Sequence, residues 1–374
     1  MTDSDAVAQS RDIATFRRAL THLAASEGPS SSVSDESLFP SSLLQHLTEL
    51  GALTAPLPVE DGGLGLCSHP YGLMEMLRLT GCLSLSMGRC LEGHVNVLRL
   101  VALYGAHPQR TLLASAVKRG TLAGIWVTDG NTPVTITPTN TGYRLTGKKG
   151  FSSAVHEVGL ALITARTAQD QTIMALVPTN DPVRITAGPG KLTGMTASGT
   201  GAYDFTGLVI HPENIVGQSG DYLRQPEFSA GAWRGSAVAL GGMDRLTDLM
   251  LTELRNRKRD DNLHQQVRIG NALILRETAS MWVCRAARAV CSTHLSPGDI
   301  AAIVNLARIA VEQAALELIP LVQRGLGLSA FVRGQAVEQV MRDLATYLRQ
   351  PAPDETLTEA AHWFTDHPWP EDET

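Results

Sequence analysis

Ala123-Gly124-Ile125-Trp126-Val127-Thr128 and, a little further on, Tyr143-Arg144-Leu145-Thr146 decide the fold. Both runs are short, rich in β-branched and aromatic residues, and bounded by Gly, Thr, Asn or Pro, which is how strands separated by turns are written. The same grammar returns at residues 135–138, 159–165, 172–178 and 202–210. A small β-barrel or sandwich is therefore expected over residues 121–220. Working outward toward the N-terminus, the apolar residues of 12–118 recur at helical spacing, as in Leu43, Leu44, Leu47 and Leu50, or Val95, Leu98, Val101 and Ala102. They predict a helical domain over 1–120, with the Ser-rich segment 27–37 as an internal loop. Toward the C-terminus, 268–291 and 300–322 are rich in Ala and Leu and too apolar for lone surface helices. A helical bundle over 221–374 is expected, with a loosely packed acidic tail at 354–374. The class is α+β, mainly α, and no internal repeat is visible.

With 374 residues, 43% hydrophobic and 18% charged, the chain can bury a large core divided into two or three units. A net charge of −6 without a basic stripe speaks against a nucleic-acid partner. Arg255, Arg257, Lys258 and Arg259 cluster, but Asp260 and Asp261 follow at once. That pattern reads as a solvated helix end, with a phosphate site as the alternative. The first residues are polar and acidic, and no run reaches the roughly 18 apolar residues of a membrane span. The expectation is a cytoplasmic protein with no membrane partner. The cysteines Cys67, Cys82, Cys90, Cys284 and Cys291 are scattered without a CxxC pair. Reduced core thiols fit better than disulfides, and no metal site is expected.

Several segments resemble the acyl-CoA dehydrogenase family of flavoproteins. They are Leu50-Gly51-Ala52, Pro58-Val59-Glu60-Asp61-Gly62-Gly63-Leu64-Gly65, Ile125-Trp126-Val127-Thr128-Asp129-Gly130, Gly142-Tyr143-Arg144-Leu145-Thr146-Gly147-Lys148-Lys149-Gly150-Phe151-Ser152-Ser153 and Met341-Arg342-Asp343-Leu344. Their order and spacing across about residues 40–350 carry the resemblance. It implies the same helical, β, helical architecture, with a flavin between the β domain and the bundle. It places the isoalloxazine ring on Ile125, Val127 and Thr128 and on Phe151, Ser152 and Ser153. Phe151, where the family usually has Trp, offers a stacking face, and Thr128 and Ser153 offer polar contacts to the ring edge. Read alone, these are ordinary strand residues.

For the remainder of FAD, the resemblance points to Arg257 and to Gly325 and Gly327, which in the family complete a neighbouring subunit's cofactor site. A homodimer or homotetramer is thus expected. Asp260 and Arg268 stand where the family has Phe and Gln, and Arg324 stands in place of a Gly. FMN or loosely held reduced flavin is accordingly the alternative to FAD.

The implied reaction is α,β-dehydrogenation of an acyl-CoA, with an electron-transfer flavoprotein as candidate acceptor. It needs a carboxylate to take the α-proton. Of the two positions where the family keeps that Glu, one is Pro351 and the other Trp233. Glu355 becomes the candidate base if residues 350–353 are an insertion; Glu92 and Glu227 are other carboxylates near the implied site. Glu92, Trp233 and Arg234 are expected around the substrate, Arg234 either touching it or anchoring its helix. The loop 128–133 is shorter than the family's, so CoA itself is not implied. A flavin monooxygenase on the same fold needs no α-proton base, and a non-catalytic flavin- or acyl-binding homologue needs no chemistry at all. Both remain open.

Overall fold

The computed structural model of the chain describes residues 3–26, 38–188, 190 and 192–371. The expected loop at 27–37 lies outside them. The N-terminal unit contains α1 (Asp3–Ser26), α2 (Ser41–Glu49), α3 (Pro70–Leu83), α4 (Leu85–Tyr104) and α5 (His107–Lys118). Pro70 opens α3, and the His69 side chain accepts from Gly72 N at 3.0 Å; Ser84 caps α4 by accepting from Met87 N at 3.2 Å.

The β unit contains β1 (Leu122–Trp126), β2 (Thr135–Thr139), β3 (Gly142–Thr146), β4 (Lys148–Ser152), β5 (Val158–Arg166), β6 (Thr172–Pro178), β7 (Ile185–Thr186), β8 (Gly201–Asp204), β9 (Val209–Ile210) and β10 (Ile215–Val216). Seven strands form one sheet in the order β10-β6-β5-β2-β3-β9, with β1 parallel to β5; β4, β8 and β7 form a second. The expected single run at 202–210 is broken. Gly207 adopts φ 80°, a conformation that favours glycine, and turns the chain from β8 in one sheet to β9 in the other. β5 is buried on both faces and reads as a nearly continuous apolar run.

The C-terminal unit contains α6 (Glu227–Ala230), α7 (Ala232–Asn256), α8 (Leu263–Ala289), α9 (Pro297–Leu326), α10 (Ala336–Tyr347) and α11 (Pro353–Asp366). Ser296 and Asp299 form a capping box at the start of α9, and Gly327 at φ 66° ends it. The first and third units are not separate bodies. A Cβ at Gly81 would lie 2.2 Å from Val238 O, and one at Gly241 would lie 2.0 Å from Arg78 O, so α3 and α7 touch backbone to backbone. Asp244 on α7 accepts from Arg78 at 2.6 Å and from Arg276 on α8 at 2.5 Å beside this crossing.

The acidic tail does not pack loosely. Thr356, Ala360 and Trp363 fall on one face of α11; the first two are buried, and Trp363 Nε1 donates to Asp299 on α9 at 2.9 Å. The charges of 354–366 occupy the other face, which is why composition alone misleads here. The cysteines also depart from expectation: all five are free thiols, but Cys291 is exposed and only Cys90 is fully buried. Among the described residues no helix is long and apolar enough to cross a membrane, and no His/Cys/Asp/Glu cluster could hold a metal.

Candidate functional site

Alternation along β1 turns Trp126 inward, where its ring meets Tyr203 at 5.5 Å and Nε1 donates to Ser153 O at 3.1 Å. Ile125 and Val127 then face outward and are half-buried. The chain beyond β1 runs beside β4: Gly150 N donates to Thr128 O at 3.0 Å and Gly130 N to Lys148 O at 2.8 Å. Lys149 fastens the two segments. Its buried ammonium donates to Val127 O at 2.7 Å, Asp129 Oδ1 at 2.6 Å and Thr164 Oγ1 at 3.1 Å. Burial pulls its pKa below the ordinary lysine value, with Asp129 opposing.

An irregularity in β4 between Lys149 and Ser152 turns Phe151 outward, 45% exposed, and Ser152 inward. The expected residues Ile125, Val127, Thr128, Phe151, Ser152 and Ser153 are thus brought together. Ser152, however, is fully buried, and its hydroxyl has no hydrogen-bond partner among the described residues. A small cavity of about 10 Å³ lies between α4 and β1, with Arg89, Cys90, Gly93, Ile125, Trp126 and Ser153 in its lining. A Cβ at Gly93 would stand 3.3 Å from Arg89 Nη1 and 3.6 Å from Ile125 Cγ2, so glycine keeps the gap open. An exposed aromatic beside half-buried aliphatics, with strand backbone at the margin, fits a flat heteroaromatic ring.

Next to this cavity α4 carries a polar wall, of which only Arg89 lines the cavity itself. Glu92 is buried, not at the surface, and both of its oxygens are taken: Oε2 accepts from Arg89 at 2.5 Å and Oε1 from Asn96 Nδ2. Asn96 Oδ1 in turn accepts from Arg234 Nε at 2.6 Å, linking α4 to the start of α7. Burial draws the Arg234 guanidinium below its ordinary pKa, with Cys67 and Glu92 opposing. Tyr222 and Tyr347 stand within electrostatic reach of Glu92 and Arg89. Burial, reinforced by Glu92, pushes Tyr222 up to about 12 and raises Tyr347 as well, so both are neutral phenols near pH 7. Behind this wall, fully buried His94 donates from Nε2 to Leu53 O at 2.9 Å and accepts from Ala123 N at 3.0 Å, fixing β1 to α4. That tautomer follows from the backbone N–H on Nδ1. Burial lowers His94 to about 4.

Trp233 is buried, and its Nε1 has no partner among the described residues. Glu227 pairs with Arg99 at 2.8 Å. Glu355 is exposed in the first turn of α11, whose neighbouring residues Pro351 and Thr356 contact Arg308 of α9. Arg342 and Asp343 dock the chain before β8 onto α10: Arg342 Nη1 donates to Thr193 O at 2.9 Å, and Asp343 accepts from Met195 N at 2.6 Å.

At the far end of the bundle, Arg257 caps α7 and donates to Glu253 at 2.7 Å, Leu326 O at 3.2 Å and Ser329 Oγ at 2.7 Å. Gln265 Nε2 donates to Gly325 O at 3.1 Å, and Arg268 reaches Gln265 Oε1 at 3.3 Å. Arg257, Gly325 and Gly327 therefore do converge, with Arg257 already engaged inside its own chain. Sequence reasoning missed Lys149, Arg89, Asn96, Tyr222, Tyr347 and His94. One signal was present: Arg89, Glu92, Asn96 and Arg99 recur at i, i+3, i+7 and i+10 in a helix whose other residues are mostly apolar.

No protein-family model matches the chain. Over 333 residues it is 25% identical to the very long-chain specific acyl-CoA dehydrogenase, mitochondrial, of Mus musculus, covering 81% of this chain and 50% of that protein. The Homo sapiens counterpart is 24% identical over 327 residues with the same coverage. The chain spans about half the length of the curated relatives it matches. FMN-bound TdsC from Paenibacillus sp. A11-2 superposes with a TM-score of 0.80 at 20% identity, covering 97% of both chains. Butyryl-CoA dehydrogenase from Megasphaera elsdenii gives 0.82 at 15% identity over 98% of this chain and 99% of that one. KijD3, solved with FMN and a dTDP-amino sugar, gives 0.76 at 19% identity over 98% and 93%. Over nearly its whole length the chain thus has the acyl-CoA dehydrogenase-like fold, and in sequence it is similar to the curated dehydrogenases at 24–25% identity.

Proposed function

We propose that the chain is a flavin-dependent oxidoreductase that seats the ring against Ile125, Val127 and Phe151, and that it oxygenates a small organic substrate. The observation that carries the reaction class is the state of Glu92. Dehydrogenating an acyl thioester calls for a carboxylate free to remove a proton, and both Glu92 oxygens are engaged by Arg89 and Asn96. Trp233 and Pro351 stand at the two positions where a base was expected, and Glu355 is exposed on α11. When bound, a reduced flavin supplies the electrons that activate dioxygen. The chain's own groups suit that use: Tyr222, Tyr347 and Arg89 are donors, and Trp126 and Trp233 are bulky buried neighbours that exclude water. TdsC, described as a dibenzothiophene monooxygenase, and KijD3, solved with FMN, support the reading as structural neighbours.

FAD is the first expectation for the cofactor because Arg257, Gly325 and Gly327 lie together. FMN is the alternative. A second copy of the chain would bring that bundle end to its neighbour's flavin. The reading placed first by sequence, acyl-thioester dehydrogenation with an electron-transfer flavoprotein as acceptor, is favoured by the curated relatives and stands second.

The test is spectral. Purified protein titrated with FAD and with FMN is expected to perturb the flavin band. Short, medium and long acyl-CoAs added anaerobically are expected to leave it unbleached, while reduced flavin, oxygen and aromatic heterocycles yield products heavier by one oxygen. Bleaching by any acyl-CoA restores the dehydrogenase reading, and slow bleaching in Glu355→Gln would then identify its base.

A further inference from the structure

Among the described residues, Ala154, Asp170, Met195, Lys258 and Ala352 adopt a positive φ without being glycine. Asp170, Lys258 and Ala352 lie exposed at turns and helix ends. Ala154 (φ 52°) and Met195 (φ 60°) are buried, and they belong to one clasp. A side chain disfavours this left-handed region, so the conformation persists only where surrounding contacts over-determine it. Those contacts run from α10 to the face that Phe151 lines. Asp343, buried on α10, accepts from Met195 N at 2.6 Å, and a Cβ at Gly194 would stand 2.3 Å from Arg342 O, so the turn is pressed onto the helix. Met195 O accepts from Ser198 N at 3.0 Å; Ser198 O and Gly199 O then accept from Ala154 N at 2.8 Å and Val155 N at 3.1 Å. Just beyond that turn Gly201 opens β8 opposite Ser152, while Trp126 Nε1 holds Ser153 O at 3.1 Å. The end of β4 is thus tied by printed backbone bonds to a turn whose other end rests on a carboxylate of α10.

We propose that Asp343 is a positioning residue for the ring-binding face: it keeps Met195, and through it Ala154, in the left-handed conformation that leaves Phe151 turned outward and Ser152 inward. The inference rests on the flavin reading above and concerns what aims that face, not what touches the ring. A hydrogen bond from an N–H to a carboxylate is roughly twice as strong as one between neutral groups, which suits it to holding a strained backbone. Asparagine at 343 keeps an acceptor oxygen in place, and alanine does not. Glycine at 154 takes a positive φ without strain, so a chain carrying it depends less on the clasp.

The test measures FAD and FMN dissociation constants and backbone amide exchange in wild type, Asp343→Asn, Asp343→Ala, and each of these combined with Ala154→Gly. In Asp343→Ala the amides of Ala154 and Val155 are expected to exchange roughly tenfold faster, while β5 keeps its protection. With about a tenth of the molecules then presenting the aimed face, the flavin Kd rises roughly tenfold. Asp343→Asn should lose only about threefold, and Ala154→Gly should cut the tenfold penalty of Asp343→Ala to about threefold or less. A general loss of stability would make the two substitutions additive, so additive Kd changes overturn the proposal, as does unaltered exchange at 154 and 155. If Asp343→Ala does not fold, the same comparison is read in Asp343→Asn, and equal Kd changes with and without Ala154→Gly overturn it. A wild type that takes up neither FAD nor FMN rejects the flavin reading and this proposal with it. One that binds flavin with a Kd indifferent to these changes rejects only the role of Asp343.

Discussion

Two long helices invert the usual rule in opposite directions. α4 turns Arg89, Glu92, Asn96 and Arg99 into the protein, while α8 turns Leu263, Val267, Ile274 and Met281 out toward solvent. Both stripes run along one helical face. The buried polar stripe is satisfied internally, through the chain Arg89–Glu92–Asn96–Arg234 and the Arg99–Glu227 pair. The exposed apolar stripe lies open instead. Val267 is 64% exposed and Ile274 65%, an apolar exposure greater than single scattered surface residues need.

The largest effect should come from breaking the α8 side. The chain is expected to self-associate through this stripe, and Val267→Asp with Ile274→Asp should weaken association on the order of 10³-fold, at about 1.5–3 kcal/mol per buried aliphatic side chain. Sedimentation checks this, and a wild type already monomeric at micromolar concentration removes α8 from the comparison. Next is the clamp behind β1. Lys149→Met leaves Asp129 and Val127 O without their cation and should cost roughly 3–5 kcal/mol in urea unfolding; an unchanged midpoint would mean that the two strand segments hold together without it.

His94 sharpens the α4 side through pH. Its folded pKa, about 4, lies below the ordinary 6.5, so the unfolded state binds the extra proton between those values. Its contribution is fully present above pH 6.5 and is lost as pH falls toward 4, about 3 kcal/mol in all. Chemical denaturation across that window should show a correspondingly smaller acid loss in His94→Gln. The smallest effect concerns the face opposite α4. Phe151→Ala should weaken flavin binding by about 1 kcal/mol through lost stacking, read by fluorescence titration; unaltered affinity would show that the exposed ring does not touch the cofactor.

The three-part architecture was legible because helical and strand periodicities are local. Ile125 and Phe151 are singled out only through family resemblance, since nothing in an isolated strand says which face would meet a ligand. Lys149 was hidden beside Lys148: a Lys-Lys pair does not reveal which ammonium is buried, and the irregularity that turns Ser152 inward leaves no mark in composition. Glu92 looked like a surface residue because its partner Asn96 is held by Arg234, 138 residues away. The spacing of Thr356, Ala360 and Trp363 was present in the tail but was outweighed by its acidic content.

The α3–α7 crossing bears on how the chain comes off the ribosome. Arg78 and Asp244, which meet beside it, are 166 residues apart, and no side chain cushions Gly81 against Val238. The first helices therefore emerge long before the surface they pack on exists. Such non-local closure makes folding slow and leaves apolar faces uncovered meanwhile. A nascent chain stalled before Ala232 should remain protease-sensitive throughout α3 and α4, and gain protection only once α7 has cleared the exit tunnel.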